Sequence, residues 1–161
     1  MQPRAVSERH FEDNYLLDFK DQSLRESRSL MRVRCAQGRA LLTYKGPPAA
    51  GGIFRSLEEI ETGADSGIHA LEIFRRLGLR VWFRYQKYRR EYGVDSVVVA
   101  VDETPIGDYA ELEGSEAGIL ALAQRLGFDV SEFIRHNYYA LYVEACRTRG
   151  MKPGNMVFDP E

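Results

Sequence analysis

Residues Trp82–Glu113 read WFRYQKYRREYGVDSVVVAVDETPIGDYAELE, and the spacing of their side chains decides the fold. The run divides into three consecutive strands, each of which ends by presenting charge on one face. Side chains two apart in a strand point the same way. Lys87 and Arg89 therefore share a face, as do Glu111 and Glu113, with Asp102 near the end of the strand between them. A basic pair suits phosphate oxygens, and paired carboxylates suit a hard divalent cation. An amphipathic sheet with a solvated, salt-bridged outer face would read the same way. These residues alone favour that plainer alternative, because charged strand faces are common.

Working outward, the whole chain has 161 residues, which points to one domain able to bury a core. Its hydrophobic fraction of 44% and charged fraction of 29% are those of an ordinary soluble globular protein. A formal net charge of −2 argues against a general nucleic-acid binder, which carries a basic excess. The two cysteines, Cys35 and Cys146, have no zinc spacing and are too few for a disulfide scaffold, so a reduced, cytoplasmic chain is expected. Neither a signal-peptide core nor an apolar run of bilayer length is evident.

Before the central stretch, Arg9–Phe19 has the aromatic content of a strand, and DQSLRES after it reads as a turn-rich connection. Leu30–Cys35 alternates, with Arg32 and Arg34 on one face and Met31, Val33 and Cys35 on the other. Gln37-Gly38 makes the turn into Arg39–Lys45, where Thr43 and Lys45 share a side. GPPAAGG is a loop that neither helix nor central strand tolerates, and no Gly-Lys-Ser/Thr follows to make it a phosphate loop. Ile53–Thr62 resumes as a strand with Arg55, Leu57, Glu59 and Glu61 on one face. Asp65 or Ser66 caps a helix with apolar positions Ile68, Leu71, Phe74 and Leu77, stopped by Gly78. His69, in this helix, has no metal-ligand spacing. Ser115 caps a second helix ending at Gly127, and Ser131 is expected to cap a third over FIRHNYYALYVEACRTR, with His136 inside it. The tail MKPGNMVFDPE reads as irregular.

Two segments echo one another. EIETGADSGIHALEIFRRLGL and ELEGSEAGILALAQRLGF both run strand, paired glutamates, glycine, helix, then Arg-Leu-Gly. The echo suggests two related halves, with chance likeness of two capped helices as the alternative. The charged strand faces carry Arg32, Arg34, Lys45, Lys87 and Arg89, with Arg55 a further candidate, against Glu59, Glu61, Asp102, Glu111 and Glu113. An α+β fold is expected: a closed or nearly closed antiparallel barrel, a tunnel with its ionic face inward and helices packed outside.

The runs RVRCAQGRALLTYKGP, SLEEIET, YQKYRREYG, VVVAVDETPIGDYAELEG and DNYLLD resemble the CYTH superfamily, the triphosphate tunnel metalloenzymes. That superfamily includes class IV adenylate cyclases, thiamine triphosphatases and inorganic triphosphatases. The resemblance covers nearly the whole chain in order, and 1–161 is expected to be a single domain of this kind. It implies that Arg32, Arg34, Lys45, Lys87 and Arg89 grip a triphosphate, that Glu111 and Glu113 with nearby Asp102 hold Mg²⁺ or Mn²⁺, and that Glu59 and Glu61 contact metal, water or neighbouring cations. Lys87, Arg89, Glu59 and Glu61 are the expected catalytic groups. Two features depart from the family. The Glu-x-Glu-x-Lys strand that opens it does not occur here, so the chain is expected to begin near the family's second strand. Leu57 also stands where many relatives place an arginine.

The implied activity is metal-dependent hydrolysis of a triphosphate, since no element of the sequence reads adenine. Cyclisation of ATP to cyclic AMP is the alternative within the family, and a non-catalytic polyanion-binding module is the alternative outside it. The implied partner is a small-molecule triphosphate rather than nucleic acid or membrane, with a homodimer allowed.

Overall fold

A computed structural model describes residues 3–47 and 58–159. Seven strands form one sheet: β1 (Arg4–Asp18), β2 (Leu30–Ala36), β3 (Arg39–Lys45), β4 (Glu59–Ala64), β5 (Arg80–Val94), β6 (Val97–Thr104) and β7 (Gly107–Glu113). Their order is linear, β4-β3-β2-β1-β5-β6-β7, and the ladders between sequence neighbours are antiparallel. Among the described residues four α-helices complete an α+β fold: α1 (Ser23–Glu26), α2 (Gly67–Arg76), α3 (Glu116–Leu126) and α4 (Tyr138–Thr148). Among the described residues no helix is long and apolar enough to cross a membrane. The chain forms two compact units, Phe11–Gln86 and Met1–His10 with Lys87–Glu161, so β1 and β5 each contribute residues to both.

In the unit Phe11–Gln86, Gln37 (φ 51°) and Gly38 (φ 75°) both turn left-handed, as a two-residue hairpin requires. This sets the register Ala36↔Arg39, Val33↔Leu42 and Arg32↔Thr43. Alternation then sorts the side chains. Val33, Ala40 and Leu17 join Ala70 and Leu79 in an apolar core, with Tyr15, Leu24, Cys35, Leu42, Leu71 and Phe74 packed round it. Arg32 and Arg34, one residue out of phase with Val33, take the opposite face.

Helix α2 is capped as expected by Ser66, whose side chain accepts from the His69 N–H, and it ends before Gly78 at φ 96°. Its buried stripe differs from the expected one. Ala70, Leu71 and Phe74 meet the core, whereas Ile68 and Leu77 are 79% and 65% exposed. The small residues Gly67 and Ala70 rotate the helix onto β2. A Cβ added at Gly67 would run into Cys35 Sγ, so the approach is too close for any side chain there.

The connection after β1 holds α1 and is ordered by Asp18. This carboxylate accepts the backbone N–H groups of Phe19 (2.8 Å), Leu24 (3.0 Å) and Arg25 (3.2 Å), and Arg25 Nε at 2.8 Å. Most of the GPPAAGG loop, the expected strand residues 53–57, Arg55 and Leu57 lie outside the described residues.

In the other unit, α3 is capped by Ser115, which accepts from the Gly118 N–H, and closes at Gly127 with φ 83°. It buries Ile119, Leu122 and Ala123 and packs on β6. The echo read in the sequence is therefore real in structure. β4 leads to a Ser-capped, Gly-stopped helix in one unit, and β7 leads to another in its own.

The third helix is a correction. Asp129, not Ser131, caps a single 3-10 turn, Val130–Glu132, with Glu132 returning its carboxylate to the Asp129 N–H at 2.7 Å. The chain then leaves helical geometry until Asn137, whose side chain accepts from Ala140 N–H and starts α4 at Tyr138. Two competing caps, each stable locally, divide what periodicity reads as one helix. His136 is therefore an exposed residue before α4, not within it. The tail is also more ordered than its composition suggests. Met156 is fully buried, Tyr142 Oη donates to Asn155 O at 3.0 Å, and the Phe158 ring packs at a tilt with its centroid 5.4 Å from that of Tyr88.

Candidate functional site: two ionic clusters

In the unit Phe11–Gln86, register brings acids and bases to one sheet face. Asn14 lies opposite Arg34, Thr43 opposite both Arg32 and Glu61, and Lys45 opposite Glu59. Arg32 Nη2 donates to Thr43 Oγ1 at 3.1 Å, and Thr43 in turn donates to Glu61 Oε1 at 2.6 Å. Arg32 and Glu61 stand 3.6 Å apart, and Lys45 meets Glu59 at 2.9 Å. Arg34 donates through Nε to Asn14 Oδ1 at 3.1 Å and pairs through Nη1 with Glu12 at 3.3 Å. Glu12, Asn14, Arg32 and Thr43 are buried, while Lys45, Glu59 and Glu61 reach solvent. Partial burial works against ionisation of Glu59, but the Lys45 ammonium outweighs it and holds the carboxyl below its usual range.

In the other unit, β5, β6 and β7 lay a second cluster across three strands. Asp102 is fully buried and sits opposite Arg89. It accepts Lys87 Nζ at 2.8 Å, Arg89 Nε and Nη2 both at 2.7 Å, and Tyr138 Oη at 2.6 Å. The Arg89 pair is bidentate, the geometry that fixes both planes. The same Nη2 reaches Glu111 at 2.6 Å, while Nη1 stands 3.8 Å from both Glu91 and Glu113. Burial opposes ionisation of Asp102, yet hydrogen bonds from Arg89 and the charge of Lys87 prevail and hold its pKa down at about 2. For Tyr138, burial and the charges of Glu111 and Asp102 push the phenol well above its ordinary range, so it stays a donor.

The expected residues therefore divide into two groups: Arg32, Arg34, Lys45, Glu59 and Glu61 in one cluster, and Lys87, Arg89, Asp102, Glu111 and Glu113 in the other. Glu12, Asn14 and Tyr138 were not anticipated. Glu12 and Asn14 share a face two residues apart, but Asp13 between them is charged as well, so alternation does not single them out. Tyr138 carries no signal, because its role depends on where α4 starts.

Among the described residues, no group of three or more His, Cys, Asp or Glu side chains is arranged to hold a metal ion. Glu111 and Glu113 fit a divalent cation in part. They offer hard oxygens from one strand, their side chains are 39% and 60% exposed, and water or phosphate would complete the shell. Asp102 fits less well, because its oxygens are already engaged by Lys87, Arg89 and Tyr138.

Sheet, flanking helices and ionic strand faces together define an α+β protein on a seven-stranded sheet, whose end strands β4 and β7 are not joined by hydrogen bonds among the described residues. The chain belongs to the CYTH family, matching the CYTH domain over residues 2–146. This family is one of metalloenzymes that generally use divalent metals. A protein of Methanocaldococcus jannaschii, provisionally named an adenylate cyclase, is 25% identical over 142 residues covering 81% of each chain. Among solved structures, a provisionally named adenylate cyclase of Vibrio parahaemolyticus has a TM-score of 0.73 at 18% identity, covering 88% of this chain and 84% of its own. A Hippeastrum protein, provisionally named an adenylyl cyclase and described as having a dominant triphosphatase activity, has a TM-score of 0.62 at 16% identity, covering 91% and 85%. These structural likenesses fix the fold, and the α+β architecture expected from the sequence is the one found.

Proposed function

We propose that this chain is a metal-dependent enzyme that hydrolyses a triphosphate. The observation that carries the reading is the buried arrangement of Lys87 and bidentate Arg89 on Asp102, with Arg89 also spanning to Glu111. Two buried cations fixed on one carboxylate form a rigid, preorganised donor set of the kind that stabilises charge on a transferring phosphoryl group. Asp102 is assigned to orienting these cations. A divalent cation held by Glu111 and Glu113 would supply charge neutralisation at the phosphate oxygens. Arg89 can then exchange its contact with Glu111 for a phosphate oxygen without losing Asp102, because Nε and Nη2 both bond that carboxylate.

Arg32 and Lys45 supply cationic contacts in the other cluster, and Arg34 joins them in binding through the groups it holds. Glu59 and Glu61 offer carboxylate oxygens able to orient water, with Thr43 linking Glu61 to Arg32. The substrate is assigned as inorganic triphosphate, thiamine triphosphate or a nucleotide. Cyclisation of ATP is the second reading, favoured by the names given to the Methanocaldococcus and Vibrio proteins.

The test is calorimetry with tripolyphosphate and with phosphate, followed by assays for phosphate and cyclic AMP in Mg²⁺ or Mn²⁺. Tripolyphosphate is expected to bind at least about a hundredfold more tightly, since each added charge-assisted contact contributes roughly 1.5–3 kcal/mol. Equal affinities would sink the triphosphate reading. Tight binding without either product would leave a polyanion-binding module. Cyclic AMP as the main product would select the cyclase.

A further inference from the structure

We propose that Asn14 donates its side-chain amide to the bound anion, and that Arg34 serves to aim it. The inference rests on the triphosphate reading above and adds a contact that neither charge nor family pattern assigns. Asn14 is fully buried on β1, directly opposite Arg34. A primary amide has one acceptor oxygen and a nitrogen with two donors. Arg34 Nε can only donate, and it lies 3.1 Å from Asn14 Oδ1. The amide oxygen must therefore face the arginine, which fixes the orientation of the group and turns Nδ2 away.

That nitrogen finds no acceptor: Asn14 Nδ2 is buried without a hydrogen-bond partner. Leaving such a donor unsatisfied costs about 1–3 kcal/mol, so the sequence keeps it against a penalty. Arg32 Nε is in the same condition. Arg32 pairs with Leu16, two residues along β1 from Asn14, so the two donors occupy diagonal positions on one sheet face. Diagonal neighbours are roughly 7–8 Å apart at the backbone, within joint reach of one multi-oxygen ligand.

Asn14 Nδ2 and Arg32 Nε are both donors, and one belongs to a guanidinium, so an oxygen anion complements them, with the Glu12 carboxylate on the same strand face paired to Arg34. A phosphate oxygen accepts from several donors at once, which a single carbonyl does less well. Arg34 takes a different part from Arg32. Its Nε is committed to Asn14 and its Nη1 faces Glu12, so it acts on the ligand largely through the amide it holds.

The experiment is calorimetry of tripolyphosphate binding to the wild type, Asn14→Ala, Asn14→Asp and Arg34→Lys, with circular dichroism to confirm folding. Asn14→Ala is expected to weaken binding about tenfold. Asn14→Asp should weaken it further near neutral pH, because a carboxylate cannot donate and repels the ligand. Its deficit relative to wild type should shrink as the pH is lowered and the new acid regains a proton to donate, which a purely structural role would not produce. Arg34→Lys should weaken binding in the wild type and much less in the Asn14→Ala background.

Should Asn14→Ala not fold, ¹⁵N-labelled wild type gives the same answer. The Asn14 amide resonances should move on adding tripolyphosphate. Wild-type binding that Asn14→Ala leaves unchanged, or static Asn14 amide resonances, would overturn this inference alone. A wild type that binds no tripolyphosphate would overturn the triphosphate reading and this inference with it.

Discussion

At the scale of single residues, Asp102 decides most. Replacing it with Asn removes the counter-charge that the cluster gives two buried cations. Breaking such a pair from one side is expected to cost about 3–5 kcal/mol in urea unfolding at neutral pH. Tyr138→Phe should cost about 1.5–3 kcal/mol by deleting one hydrogen bond to a charged acceptor. The double variant should fall short of the sum, and full additivity would mean the two do not share a network. Asp18 makes the analogous case for a loop. Burial opposes its ionisation, but Arg25 and the backbone N–H groups of Leu24, Arg25 and Phe19 prevail, leaving its pKa below the ordinary 3.8. A folded value below the unfolded one lends stability that is complete above the ordinary pKa and is lost as pH falls through the folded value. Asp18→Asn should therefore be less stable than wild type near neutral pH, with the two converging in acid titrations below about pH 4. A constant gap down to the lowest pH would remove the electrostatic account. The charged residues expected in both clusters were legible from strand period, because alternation needs no knowledge of neighbours, but Glu12 was not. Asp102's partners were not. That it meets Lys87, Arg89 and Tyr138 depends on inter-strand register and on the start of α4, neither of which period contains.

At the scale of elements, the close approach of α2 to β2 makes a sharp prediction. Gly67 begins α2 with no room for a Cβ beside Cys35 Sγ on β2. Gly67→Ala is expected to destabilise the protein by about 1–3 kcal/mol, the usual range for overpacking, despite alanine's better helix propensity. Cys35→Ala made in the same molecule should recover most of the loss by clearing the sulfur. Thermal melts of the four proteins in this cycle test it, and no recovery would place the strain elsewhere in the helix. The limits of β2 and β3 and the caps of α2 and α3 followed from Ser, Gly and alternation, whereas β1 starts at Arg4, five residues before the aromatic run at Arg9 that marks it in the sequence. The third helix did not follow, since Asp129 and Asn137 are both good caps and periodicity cannot rank them. The face of α2 was misjudged for a related reason. Ile68 and Leu77 fit the apolar spacing, but the small residues Gly67 and Ala70 set which side could come nearest the sheet.

At the scale of the whole molecule, the repeated strand-helix pattern was readable, and the linear strand order ending at β4 and β7 was not, because it joins residues far apart in sequence. The division of the chain has a consequence for biosynthesis. Phe11–Gln86 is one unbroken stretch, whereas the other unit joins residues up to His10 with residues from Lys87 onward. A ribosome delivers the chain in order at roughly 5–20 residues per second, so the unbroken unit can assemble while its companion still lacks most of its residues. Residues Arg4–His10, the leading half of a strand whose other half is already paired, must then wait, an exposed edge open to chaperones. Ribosome-stalled chains are expected to show protease protection at residues 11–86 as soon as Gln86 has cleared the exit tunnel, with protection of residues 4–10 arriving only once the second half of β5, which neighbours them in the sheet, has emerged. Simultaneous protection of both segments would mean that the nascent chain acquires its structure in a single step.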